Sequence, residues 1–125
     1  MKKIIILSTL ILGSFNAIAQ ITDIKEKFTL PTILSESSGV IFFNNKLINH
    51  NDSGNEKKLY ELDTIAETIS RTVTIDNATN VDWEDITQDD TSIYIGDIGN
   101  NNGNRTNLKI YKINKNNYLN SINIT

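Results

Sequence analysis

The chain has 125 residues, of which 38% are hydrophobic and 22% charged, and a formal net charge of −3. This is the composition of a globular protein long enough for one hydrophobic core, and it excludes wholesale disorder. The absence of cysteine excludes a disulfide scaffold, a thiolate metal site, a cysteine nucleophile and a lipoprotein anchor; the single histidine excludes a multi-histidine metal site, and the acidic balance argues against nucleic acid as a partner.

In chain order, residues 1–19 read as an export signal. Met1-Lys2-Lys3 is a positive start, Ile4 to Leu12 is mostly apolar, and Ala17-Ile18-Ala19 is a small-x-small cleavage site before Gln20. The apolar run is far short of the ~20 residues of a spanning helix. No membrane span is therefore expected, and the mature chain is expected to be secreted or periplasmic.

Residues 20–34 form a polar lead-in that holds the only proline, Pro31. Beyond it the pattern has period two and is rich in β-branched residues, broken by Asn/Gly/Asp clusters such as Asn44-Asn45, Asn100-Asn101-Asn102 and Asn116-Asn117. Strands are predicted near 38–43, 46–50, 58–62 and 68–75, and again near 84–88, 92–97, 108–113 and 119–124. No helix is predicted outside the signal.

The two sets align as copies of one unit. Lys46-Leu47-Ile48-Asn49-His50-Asn51 matches Ser92-Ile93-Tyr94-Ile95-Gly96-Asp97, and Leu59-Tyr60-Glu61-Leu62-Asp63 matches Ile110-Tyr111-Lys112-Ile113-Asn114. The loop Asn100–Asn107 is the longer counterpart of Asp52–Lys57. Four short strands per unit of this length is the period of a β-propeller blade, with a plain antiparallel sandwich as the competing reading. The expected fold is all-β: a partial β-propeller of about two four-stranded antiparallel blades, 35–80 and 81–125. Two blades do not close a ring, so the chain is expected to be the N-terminal piece of a longer protein whose remaining blades are its partners.

In an up-and-down blade, the loop entering the first strand and the loop between the second and third lie on one face. That places Glu36-Ser37-Ser38-Gly39, His50 through Gly54, Asp82 through Asp85 and Asp97 through Arg105 together. Asp52, Asp82, Glu84, Asp85 and Asp97 offer carboxylates, and Asn51, Asn80 and Asn100 offer amide carbonyls. Such an all-oxygen set suits calcium, although the same residue types are ordinary turn formers. Glu36, His50, Asn51, Trp83 and Arg105 are the ligand-binding candidates. Arg105 has the chemistry to clamp an anion or to cap loop carbonyls, and His50 has Asp52 nearby in sequence as an orienting acid. Trp83 can pack between blades or stack on a ligand. No serine sits in a nucleophile elbow, so no catalytic residue is assigned.

The motifs Glu36-Ser37-Ser38-Gly39, His50-Asn51-Asp52-Ser53-Gly54, Leu59-Tyr60, Asp63, Asp82-Trp83-Glu84-Asp85-Ile86 and Tyr94-Ile95-Gly96-Asp97-Ile98-Gly99-Asn100-Asn101 resemble the opening of a group of secreted bacterial β-propeller proteins, many from Bacteroidetes. The layout is more distantly similar to phytase-like and SdiA-regulated propellers and to the six-bladed gluconolactonase and paraoxonase class. The last resemblance implies a catalytic calcium held by an acid at a strand entry, here Glu84 or Asp85. The expected function is an exported binding or scaffold module with an acidic, calcium-binding face, directed at a small molecule or a surface glycan or peptide. The alternatives are the N-terminal part of a calcium-dependent phosphoester or lactone hydrolase, and an adhesion or carbohydrate-binding module.

Overall fold

The computed structural model describes residues 24–125; the proposed signal lies outside the described residues. A short 3-10 turn, Thr32–Leu34, precedes β1 (Ser37–Phe43), β2 (Lys46–Asn51), β3 (Lys58–Asp63) and β4 (Thr68–Ile75). Then come β5 (Trp83–Gln88), β6 (Ser92–Asp97), β7 (Lys109–Asn114), a helix α1 (Lys115–Asn120) and β8 (Asn123–Ile124). The turns use asparagine as its side chain allows: Asn44 and Asn45, between β1 and β2, both take positive φ, at 50° and 59°.

The protein is mostly β, but it is not two four-stranded antiparallel sheets. One sheet has five strands in the order β1-β2-β3-β4-β8, and the other has three, β5-β6-β7. The segment predicted as a strand at 119–124 divides instead into the end of α1 and the short β8, which pairs with β4 in parallel. The helix starts where Asn114 caps it, its side chain accepting from the backbone N–H groups of Asn116 (2.9 Å) and Asn117 (3.3 Å). Tyr118 anchors the helix in the core, and Arg71 of β4 donates to the carbonyls of Tyr118 and Ser121. These bonds carry the chain to the free edge of β4 rather than to β7.

The two sheets share a register. In the first, Gly39 pairs with His50, Ile41 with Ile48, and Leu47 with Leu62. In the second, Asp85 pairs with Gly96, Thr87 with Tyr94, and Ile93 with Ile113. Each of these pairs maps onto its counterpart under the sequence alignment above. A bulge interrupts each first pairing at the matching place, between Ser37 and Gly39 and between Trp83 and Asp85.

β1 and β5 run side by side in the same direction. Ser38 Oγ donates to the Glu84 carbonyl (3.4 Å), and Gln88 Nε2 donates to the Phe42 carbonyl (2.8 Å). The main core lies between the sheets. Ile41, Phe43, Ile48, Leu59, Val73 and Ile75 come from the first, and Trp83, Ile86, Ile93, Ile95, Tyr111 and Ile113 from the second. Opposite faces of the two sheets meet here. The first-sheet positions matching Ile93, Tyr111 and Ile113 are Leu47, Tyr60 and Leu62, which lie on the far side of the first sheet, packed with Phe28 and Leu34 of the lead-in.

Candidate functional site

The site is built where the exit of β2 meets the entry of β5. Asn80, just before β5, spans the gap: its amide donates to the carbonyls of Asn51 (3.1 Å) and Asp52 (2.8 Å), while its oxygen accepts from the Trp83 N–H (3.1 Å). The Asp52 N–H is held by the Glu36 carbonyl at 2.8 Å. The consequence is a cluster of Asp52, Asp82 and Glu84, one carboxylate oxygen from each lying within 4.8 Å of the others, all half-buried. Asp82 is protonated more readily than an ordinary aspartate, because it is partly withdrawn from water and shares a hydrogen bond with Asp52. Asp97 adds repulsion and Arg105 opposes it.

Gly99 is required for this arrangement. A Cβ there would fall 2.1 Å from the Asp82 carboxyl carbon, so any larger residue displaces the carboxylate or the loop. Gly99 has no role apparent in its sequence motif, and Asn80, a candidate carbonyl ligand by residue type, instead braces the backbone with both ends of its amide. A glycine beside an acidic strand entry was the available signal for the first; nothing in the residue type distinguishes a brace from a ligand for the second.

The other candidates have other occupations. Asp97, fully buried, accepts from the Asp82 N–H (3.0 Å) and from Arg105 Nη2 (2.8 Å). Arg105 also donates to the Gly99 carbonyl (2.6 Å) and to Asn107 Oδ1 (3.1 Å), so it caps its own loop. Asp85 caps the bulge through the Ile86 N–H (2.8 Å) and lines a shallow concavity on the outer face of the second sheet, outside the acidic cluster. Glu36 accepts from Asn55 and steadies the turn after β2. Asn51 donates to the Ile33 carbonyl (2.7 Å).

Trp83 is a core residue: its indole N–H reaches the Thr79 carbonyl (2.9 Å), and His50 packs edge-on against its ring. His50 is fully buried, and loss of water lowers its affinity for a proton. Its Nδ1 bonds the Asn51 carbonyl (3.1 Å), and its Nε2 has no hydrogen-bond partner among the described residues. A Cβ on Gly39 would sit 2.7 Å from that nitrogen, so the glycine makes room for the ring.

Chemically, three half-buried carboxylates can hold a hard cation, and calcium takes oxygen ligands of this kind. Comparison with protein-family models, curated proteins and solved structures gives no match. Among the described residues, no helix is long and apolar enough to cross a membrane.

Proposed function

We propose that the chain is part of an exported β-propeller that serves as a binding or scaffold module, and that its acidic rim holds a calcium ion through Asp52, Asp82 and Glu84. The observation that carries this reading is the meeting of three carboxylates from two sheets within 4.8 Å. Like charges this close repel, and a divalent cation relieves the repulsion while supplying open coordination positions to water or to an oxygen-bearing ligand. The propeller reading is supported by the shared register, the matching bulges and the parallel neighbours β1 and β5, which are the relations expected of consecutive blades. The one histidine of this chain, His50, is sealed in the core and takes no part in the acidic rim.

Thermal melting against calcium tests the proposal. The midpoint is expected to rise with the logarithm of calcium concentration above the Kd, by roughly 10–20 °C at a hundred times the Kd, since such a ligand contributes about 2.7 kcal/mol and about 1 kcal/mol shifts a domain of this size by roughly 4–8 °C. Asp82→Asn with Glu84→Gln should abolish the shift while melting no lower than the parent in chelator, because the substitutions also remove repulsion. No shift at millimolar calcium, or a shift that survives the double substitution, overturns the cation site.

A further inference from the structure

The loop after β6 carries the only Asn-Gly step in the chain, Asn102-Gly103. Both residues are exposed, and Gly103 takes a φ of 65° with nothing within 4 Å of the place a Cβ would occupy. Two other asparagines of the loop are held. Asn100 Oδ1 accepts from the Arg105 N–H (2.9 Å), and Asn107 Oδ1 accepts from Arg105 Nε (3.1 Å). The Asn102 side chain has no hydrogen-bond partner among the described residues. The Gly103 N–H closes a turn on the Asn100 carbonyl (2.9 Å), and on an exposed loop water replaces such a bond at little cost.

We propose that Asn102 is a site of spontaneous deamidation, and that the change loosens the loop's hold on Asp97. The backbone nitrogen of Gly103 gives its proton to solvent base and attacks the carbonyl carbon of the Asn102 side chain. A new C–N bond closes a succinimide ring, the bond to the side-chain nitrogen breaks, and ammonia leaves. Water then opens the ring at either carbonyl, giving an aspartyl or an isoaspartyl residue at position 102. Water is the only reactant, and nothing is oxidised or reduced. Glycine has no side chain to obstruct ring closure, so this step outpaces the same attack at the other asparagines. The isoaspartyl product runs the chain through the former side chain and lengthens the backbone by a methylene inside the turn from Asn100 to Gly103. Arg105 lies just beyond that turn and reaches back to the Gly99 carbonyl (2.6 Å) and to the buried Asp97 carboxylate (2.8 Å). Lengthening the turn draws Arg105 off the acid. The aspartyl product keeps the backbone length and leaves the pair in place. None of this depends on the cation.

Incubation of the chain in mildly alkaline buffer tests this, read by peptide mapping for the amide-to-acid mass change and by an isoaspartate methyltransferase for the isoaspartyl product. Asn102 should convert before every other asparagine, and within a few-fold of its own rate in urea. Gly103→Ala puts a side chain beside the attacking nitrogen and should slow the conversion by an order of magnitude or more. If Gly103→Ala melts below the parent, Asn102→Gln takes its place, because the larger ring it must close forms far more slowly. The isoaspartyl fraction, separated by ion exchange, should melt several degrees below the parent, whereas Asn102→Asp should melt with it. A folded-state rate far below the rate in urea would show the Gly103 N–H locked on Asn100 and overturns the site. So does earlier conversion at Asn120, or a Gly103→Ala chain that converts as fast as the parent. An isoaspartyl fraction that melts with the parent overturns the link to Asp97.

Discussion

The ends of β2 and β6 solve the same problem with different chemistry. Asn51 and Asp97 hold aligned positions, both are buried, and each ties its strand end to the segment entering a first strand: Asn51 through the Ile33 carbonyl, Asp97 through the Asp82 N–H. A neutral amide can be buried with few partners, whereas an aspartate cannot be left without a compensating charge. The longer loop after β6 supplies that charge, since it brings Arg105 back onto Asp97 at 2.8 Å and onto the Gly99 carbonyl. The extra residues in this loop are thus accounted for by the acid at the strand end, and the shorter loop after β2 needs no equivalent.

Breaking the compensation has the largest expected effect. Arg105→Ala should cost about 3 kcal/mol in chemical denaturation, because it strands a buried carboxylate. Adding Asp97→Asn to that background should recover most of the loss by making the second site resemble the first. A cost below ~1 kcal/mol, the range of an exposed pair, would mean that Asp97 is solvated and that the contrast between the strand ends is false.

A smaller effect separates the neighbouring cross-strand pairs, Gly39 with His50 and Asp85 with Gly96. The small residue stands on opposite strands in the two sheets. Gly39→Ala meets the buried imidazole and the Ile86 backbone, and should cost about 1–3 kcal/mol by overpacking. Gly96→Ala meets mainly the movable end of Ile98, at 3.2 Å, and should cost under ~1 kcal/mol. Urea midpoints of the two variants compare them directly, and equal costs would show that His50 yields.

The smallest effect is a pH slope that the two sheets should share. Asp63 is held well below the usual carboxylate range by Lys46 and then by the N–H groups of Ala66 and Ile65; Asp89 is held there by the Tyr94 hydroxyl and the N–H groups of Thr91 and Ser92. Both carboxyls bind protons more weakly when folded than when unfolded. Their contribution is complete above the ordinary aspartate range and is lost progressively as pH falls from that range toward their lowered folded values. The urea midpoint should decline over that window, and Asp89→Asn should flatten part of the decline.

Seven of the eight strands were legible because alternation and β-branched residues mark half-buried strands wherever they occur. Asn116-Asn117 reads as a turn because a helix of six residues is too short to show its period, and the helix is held by a cap and by Tyr118 rather than by propensity. The parallel pairing of β8 with β4 is a long-range choice with no local signature. At the site, the approach of Asp52 to Asp82 and Glu84 followed from strand order. The diversion of Asp85, Asp97 and Arg105 did not, because whether an acid caps a bulge, pairs with arginine or faces solvent depends on side-chain reach that residue type leaves open.

The return of the chain to β4 has one more consequence. Because β8 completes the first sheet from the far end of the sequence, neither half can come apart without releasing the other, and Arg71 fastens the clasp. The polypeptide should therefore melt in a single step. It should also fold slowly for its size, since closing that clasp brings together residues about fifty positions apart.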